Sequence, residues 1–198
     1  MTVLGQIRDD FRFCREIKPN QGAIAVVLDR QFWVVANYRF GYWSCHLTIP
    51  VIGKLLRLAY VLSNFFVSSV SGTDIRSGAM IGRRFNVHTF FGIVIADGVI
   101  IGDDCVINSG VCLVNKANGK AEGVPRLGNH VSLGSGCKIM GGIVLGDHVR
   151  VGVNSVVIRD VPSHHSAIGL PAMNLPNQRE PFAATLTDGL GEELFIAG

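Results

Sequence analysis

"LGNHVSLGSGCKIMGGIVLGDHVRVGVNSVV", Leu127 to Val157, counts in sixes. Leu127, Leu133, Ile139, Leu145, Val151 and Val157 each open a unit, and glycine follows four of them. Carried toward the N-terminus, the count also picks up Ile75, Ile81, Val87, Ile95, Ile101, Ile107 and Leu113, again with glycine at 82 and 102. All thirteen openers are Ile, Leu or Val. Four places after them stand small or apolar residues: Ala79, Phe85, Phe91, Val99, Cys105, Val111, Ala117, Val131, Cys137, Ile143, Val149, Ser155 and Val161.

Period six fits neither an amphipathic helix, of period 3.6, nor a half-buried strand, of period two. A fixed repeat of this kind means stacked identical units, a solenoid. Three units close one triangular turn, with openers pointing inward and glycines or polar pairs at the corners. The expected fold is mainly β, a left-handed parallel β-helix of hexapeptide repeats, spanning residues 72–172. An α-helical segment over 1–71 precedes it, and a tail, 173–198, loses the repeat. Cys105 and Cys137 fall in inward slots and read as core thiols.

Two units break the count. "VHTFFGIV", Val87 to Val94, carries two extra residues, and "LVNKANGKAEGVPR", Leu113 to Arg126, is fourteen residues long. Insertions add nothing to a regular core, and polar insertions on a rigid scaffold are where function concentrates.

The remaining totals exclude several classes. A net charge of +3 without interleaved Lys/Arg and aromatics gives no nucleic-acid groove. Five cysteines without a CxxC read as reduced thiols, and the charged N-terminus shows no export signal, so a cytoplasmic protein is expected. In the segment Ile49 to Gly72, Leu55, Leu58, Ala59, Leu62, Phe65 and Phe66 recur at helical spacing, interrupted early by Lys54 and Arg57. That is an amphipathic helix, packed on the domain or a neighbouring chain, or else lying on a membrane surface. Trp33, Tyr38 and Trp43 are expected to pack among the helices.

From Gly72 to Ala172 the chain resembles the serine acetyltransferase group of hexapeptide-repeat acyltransferases. The likeness runs through "TDIRSGAMIGRRF", the eight-residue unit, the fourteen-residue loop, "SLGSGCKIMGGIVLGDHVRVGVNSVV" and "VPSHHSAIGLPA". It is similar above all to members that O-acetylate bacterial exopolysaccharide, of the colanic-acid type. The resemblance implies an enzyme moving acetyl from acetyl-CoA to a hydroxyl, most simply of a sugar in surface-polysaccharide assembly. It also implies a homotrimer with sites between neighbours and a further pairing of trimers through the N-terminal helices; no metal is expected, because the spaced histidine pair of zinc-holding β-helices of the γ-carbonic-anhydrase type is missing here.

By the same resemblance Asp74 is the orienting aspartate, and Ser135, Gly136, Lys138, Val153, Ser155, Pro171 and Ala172 border the coenzyme. Asn115 stands at the loop root beside the thiol arm. The family's catalytic histidine aligns with Thr89, and His88 with the aspartate that binds substrate in serine-specific members. The loop's second histidine aligns with Val124 and its arginine with Gly123. The departures keep a serine or serine-like acceptor, and a catalytically silent scaffold, as alternatives.

Chemistry favours His88 as base. An alcohol attacks a thioester well only if its proton is removed, and imidazole, with a pKa of about 6.5, suits neutral water. Asp74 would fix the tautomer, and Thr89 is a candidate to bond substrate. A plain wall histidine is the competing reading. Phe90 and Phe91 are candidates for a pocket floor, with Phe91 filling the inward slot. Asp9 and Asp10 are candidates to reach substrate from a neighbouring chain. His130 and His148, eighteen residues apart, are expected to stack on adjacent turns, and His164 and His165 to occupy an ordinary turn.

Overall fold

The computed structural model describes residues 3–17, 29–46, 50–115 and 123–177. Among these residues three helices come first: α1 (Val3–Ile17), α2 (Arg30–His46) and α3 (Pro50–Ser71). Fifteen short strands follow and wind into three faces. Face A stacks β1 (Asp74–Ile75), β4 (Val94–Ile95), β7 (Cys112–Val114), β10 (Lys138–Met140) and β13 (Val156–Val157). Face B stacks β2 (Met80–Ile81), β5 (Ile100–Ile101), β8 (Arg126–Leu127) and β11 (Val144–Leu145). Face C stacks β3 (Asn86–Val87), β6 (Val106–Ile107), β9 (Ser132–Leu133), β12 (Arg150–Val151) and β14 (His165–Gly169), and β15 (Ala172–Pro176) closes it antiparallel to β14. This is the left-handed parallel β-helix that the count in sixes predicts.

All thirteen openers are buried. Each pairs in register with the opener one coil away, as Ile75 with Ile95 and Ile139 with Val157. The glycines behind them are forced by the stacking: a Cβ on Gly102 would stand 2.5 Å from the Gly128 carbonyl oxygen. Burial pushes the Cys105 and Cys137 thiols up to about 12, which leaves them inert.

One inward residue differs from expectation. Phe91 is 51% exposed, and Ile93 fills the slot instead. The slot is fixed by its distance from the next opener, not the last one, because the chain must turn the corner two residues before the next strand. The same rule puts buried Pro125 ahead of Leu127; Ala117 lies outside the described residues.

A solenoid's first coil has no predecessor, so its strand carbonyls lack partners. In the second coil Val99 and Ile101 accept from Met80 and Gly82 at 2.8 Å; Ala79 and Ile81 must find donors elsewhere. The helices supply them. Tyr38 Oη donates to the Ala79 carbonyl at 2.6 Å, Arg39 Nη1 to Ile81 at 2.6 Å, and Arg39 Nη2 to Gly82. Arg39 Nε also pairs with Asp10 at 3.0 Å, and Asp10 accepts the Phe85 amide at 3.0 Å. Burial pushes Tyr38 up to about 12, so it remains a donor. Asp10 is thus a buried cap and cannot reach a substrate on another chain.

Of Trp33, Tyr38 and Trp43 only Tyr38 is buried. Trp33 is 56% exposed and Trp43 39%. The Leu/Phe stripe of α3 also faces outward: its inner side is Tyr60, Ser63 and Asn64, which meet α2 through Gly41 and Asn37.

Candidate active site

The eight-residue unit crosses from face C to face A. Val87 points in, so His88 points out, and it is exposed. Its amide donates to the Ile107 carbonyl at 2.8 Å, which keeps it in the ladder's register beside Asn108. The two extra residues are then expelled from the wall. Phe90 and Phe91 stack at 4.3 Å between centroids, and Arg30 approaches the Phe90 ring at 5.7 Å.

The bulge is pinned from behind by the chain entering the first coil. The Thr73 hydroxyl donates to the Phe90 carbonyl, and Gly92 donates its amide to Ser71 at 3.0 Å. Asp74 follows, paired in register with Val94. His88 and Asp74 therefore flank one corner, with Thr89 between them in the bulge. Asp74 Oδ2 is engaged by Arg76 Nε at 3.2 Å, where the resemblance implies an imidazole partner.

Above the bulge the same corner stacks Asn108–Gly110, Gly134–Gly136 and Gly152–Asn154, coil upon coil. Ser135, Gly136 and exposed Val153 lie on this column, and Pro171 and Ala172 form the β14–β15 turn beside its far end. Lys138 stands next to the column on face A, in register with Cys112, and its Nζ reaches the Gly136 carbonyl at 3.5 Å. Asn115 marks the opposite margin of face A, where the long loop departs. Residues 116–122 of that loop, including Lys116, Asn118, Lys120 and Glu122, lie outside the described residues.

Ser155 differs from its neighbours. Its side chain is buried, and its hydroxyl accepts the Gly169 amide at 3.0 Å. Its backbone is engaged as well, the amide donating to the Gly152 carbonyl at 3.3 Å and the carbonyl accepting the Lys138 amide at 2.8 Å. The substituted loop positions have local causes too. Val124 packs against the core beside Gly98, and Gly123 has φ +75° with a would-be Cβ 3.1 Å from Gly142 Cα. An arginine at 123 would be strained there.

Two features escaped the sequence reading. Asn86 is buried two residues before His88 on the same outward side of β3, where Cys14 covers it and donates Sγ–H to its Oδ1 at 3.4 Å; its Nδ2 has no partner. The cue was a polar residue on the wall immediately ahead of the bulge. The second is the length of the histidine column: His164 joins His148 and His130, with ring centroids 4.7 and 4.6 Å apart. All three have φ between 55° and 58°, the shared corner conformation that aligns them. Among the described residues no group of three or more His, Cys, Asp or Glu is disposed to hold a metal ion.

No protein-family model matches the chain. A serine acetyltransferase of Helicobacter pylori strain J99 is 36% identical over 150 residues, covering 69% of this chain and 88% of that protein. One from Synechococcus elongatus is 34% identical over 166 residues, covering 82% of this chain but 64% of its own length, so the chain spans under two thirds of that relative. Among solved structures, the serine acetyltransferase of Brucella abortus strain S19 in complex with coenzyme A superposes with a TM-score of 0.74 at 22% identity, over 87% of this chain and 67% of that one. The soybean apoenzyme gives 0.76 at 24%, over 87% and 69%. These two likenesses are likenesses of fold.

Proposed function

The chain belongs to the serine acetyltransferase family, and from that premise we propose that it moves the acetyl group of acetyl-CoA onto a hydroxyl acceptor. His88 takes the acceptor's proton as its oxygen bonds to the thioester carbonyl carbon. The C–S bond then breaks, and the CoA thiolate leaves with the proton from the imidazolium. Asp74 positions the ring and Thr89 bonds the acceptor, while Asn115, at the opposite margin of face A, serves an acceptor held against a neighbouring chain of the proposed trimer. The coenzyme runs up the corner column past Ser135, Gly136 and Val153 to Pro171 and Ala172, with Lys138 against its phosphates and Ser155 holding the column from behind. The single observation that carries this reading is the corner itself, which stacks the bulge with His88 directly under that column.

The named relatives are serine acetyltransferases, so L-serine or a serine-like amino acid is the first acceptor. Position 88 favours a second reading, a sugar hydroxyl in surface-polysaccharide assembly. Serine arrives as a zwitterion, and an imidazole gives its ammonium no counter-charge where serine-specific members are understood to place a carboxylate. A neutral sugar needs none. A trimeric assembly in the cytoplasm belongs to the same proposal.

The test is thiol release from acetyl-CoA against a panel of amino acids and sugars, repeated with His88→Ala. Loss of about 10²–10⁴-fold in kcat is expected. Full activity in that variant clears His88 of the role, and absence of transfer to every acceptor favours a silent scaffold.

A further inference from the structure

Helix α3 is apolar on two sides, with Tyr60 and Val67 packed inward and a longer stripe facing out. The side packed on α2 carries Tyr60, Ser63 and Asn64, with Asn64 Oδ1 accepting from Asn37 Nδ2 at 3.2 Å and Ser63 Oγ donating to Asn37 at 2.7 Å. The opposite side carries Leu55, Leu58, Val61, Leu62, Phe65 and Phe66, all exposed, with Phe65 at 72% and Phe66 at 70%. At 1.5 Å per residue that stripe runs about 17 Å along the helix. It exposes on the order of 600 Å² of apolar surface, at the top of what an ordinary monomer shows.

Two observations say what covers it. The stripe's side chains hold no hydrogen-bonding group, and acyl chains ask for none. The charge is also one-sided. Among its 22 residues α3 has no Asp or Glu, and its bases, Lys54 and Arg57, are exposed beside the start of the stripe. Juxtaposed basic and apolar surface suits an anionic headgroup layer with acyl chains beneath it. No helix among the described residues is long and apolar enough to cross a membrane, so α3 would lie along the surface.

We propose that the outward face of α3 docks the protein on an anionic lipid bilayer. Leu62, Phe65 and Phe66 enter the acyl boundary, and Lys54 meets the headgroups. The inference is independent of which acceptor is acetylated.

The experiment is co-sedimentation of the full chain with large unilamellar vesicles of equal phosphatidylglycerol and phosphatidylcholine, and with phosphatidylcholine alone. Wild-type protein is expected to sediment with the anionic vesicles, and less so at high salt. Phe65→Glu/Phe66→Glu should weaken that binding at least tenfold, with circular dichroism and acetyl transfer to a soluble acceptor unchanged. Lys54→Glu should reduce the preference for anionic vesicles. Wild-type protein remaining in the supernatant overturns the proposal. So does a double variant that still binds vesicles while its native mass falls, because a second copy of the chain then owns the stripe.

Discussion

At the scale of a residue, the clearest lesson lies between Phe91 and Ile93. Both are large and apolar, and counting forward from Val87 selects the first. The structure selects the second, because the corner is set by the approach to Ile95. Ile93→Ala should therefore cost about 2–5 kcal/mol, the usual range for truncating a buried aliphatic side chain. Phe91→Ala, outside the wall, should stay within about 0.5 kcal/mol. Urea unfolding of the two variants checks this, and equal losses would return Phe91 to the core. The thirteen openers were readable because each repeats the same demand on its slot. The bulge was readable as an interruption, yet its contents were not, since an expelled residue obeys contacts with Thr73, Ser71 and Arg30 that no periodicity encodes. For the same reason the likeness that named Asp74 said nothing of its ion pair with Arg76.

At the scale of an element, α1 and α2 behave as the missing coil. A thirteen-unit count describes every coil alike and has no term for an end, so the cap of Asp10, Tyr38 and Arg39 was invisible to it. Arg39→Met leaves a buried carboxylate unpaired and strips donors from the Ile81 and Gly82 carbonyls. A loss of about 3–5 kcal/mol is expected, with part of it recovered in Arg39→Met/Asp10→Asn, since the amide removes the second buried charge and still accepts from the Phe85 N–H. A double variant no more stable than the single one would show that the ion pair is not what holds the cap.

The histidine column is the other element with a measurable consequence. His148, between His130 and His164, is held below the ordinary histidine pKa, first by desolvation and then by repulsion from both neighbouring rings, against the pull of Asp147. Arg84 and Asp104 continue the column below His130, with Asp104 3.9 Å from its Nε2. Because the folded state binds the His148 proton less readily than the unfolded chain does, stability is full above about pH 6.5 and falls as pH drops through that value. His148→Asn keeps a residue tolerant of φ 57°. It should flatten the fall in Tm between pH 7.5 and 5.5, and an unchanged slope would move the effect elsewhere.

At the scale of the whole molecule, the solenoid converts register into distance. Coils rise about 4.8 Å each, so Gly134–Gly136 stands roughly 10 Å above the His88 level and Gly152–Asn154 roughly 14 Å, as fixed as the wall itself. A coenzyme laid on this column meets Lys138 at one place along its length, remote from the bulge. Lys138 thus contributes to holding the donor and nothing to proton removal. Lys138→Glu should raise KM for acetyl-CoA about tenfold, the equivalent of about 1.4 kcal/mol, with kcat within twofold and the penalty shrinking as salt screens the phosphates. Arg126→Gln, exposed on face B and away from the column, is the control and should shift KM less than twofold. Initial rates over a range of acetyl-CoA concentrations separate the two parameters. A fall in kcat at constant KM for Lys138→Glu would mean that the donor lies elsewhere and that the column is only a corner.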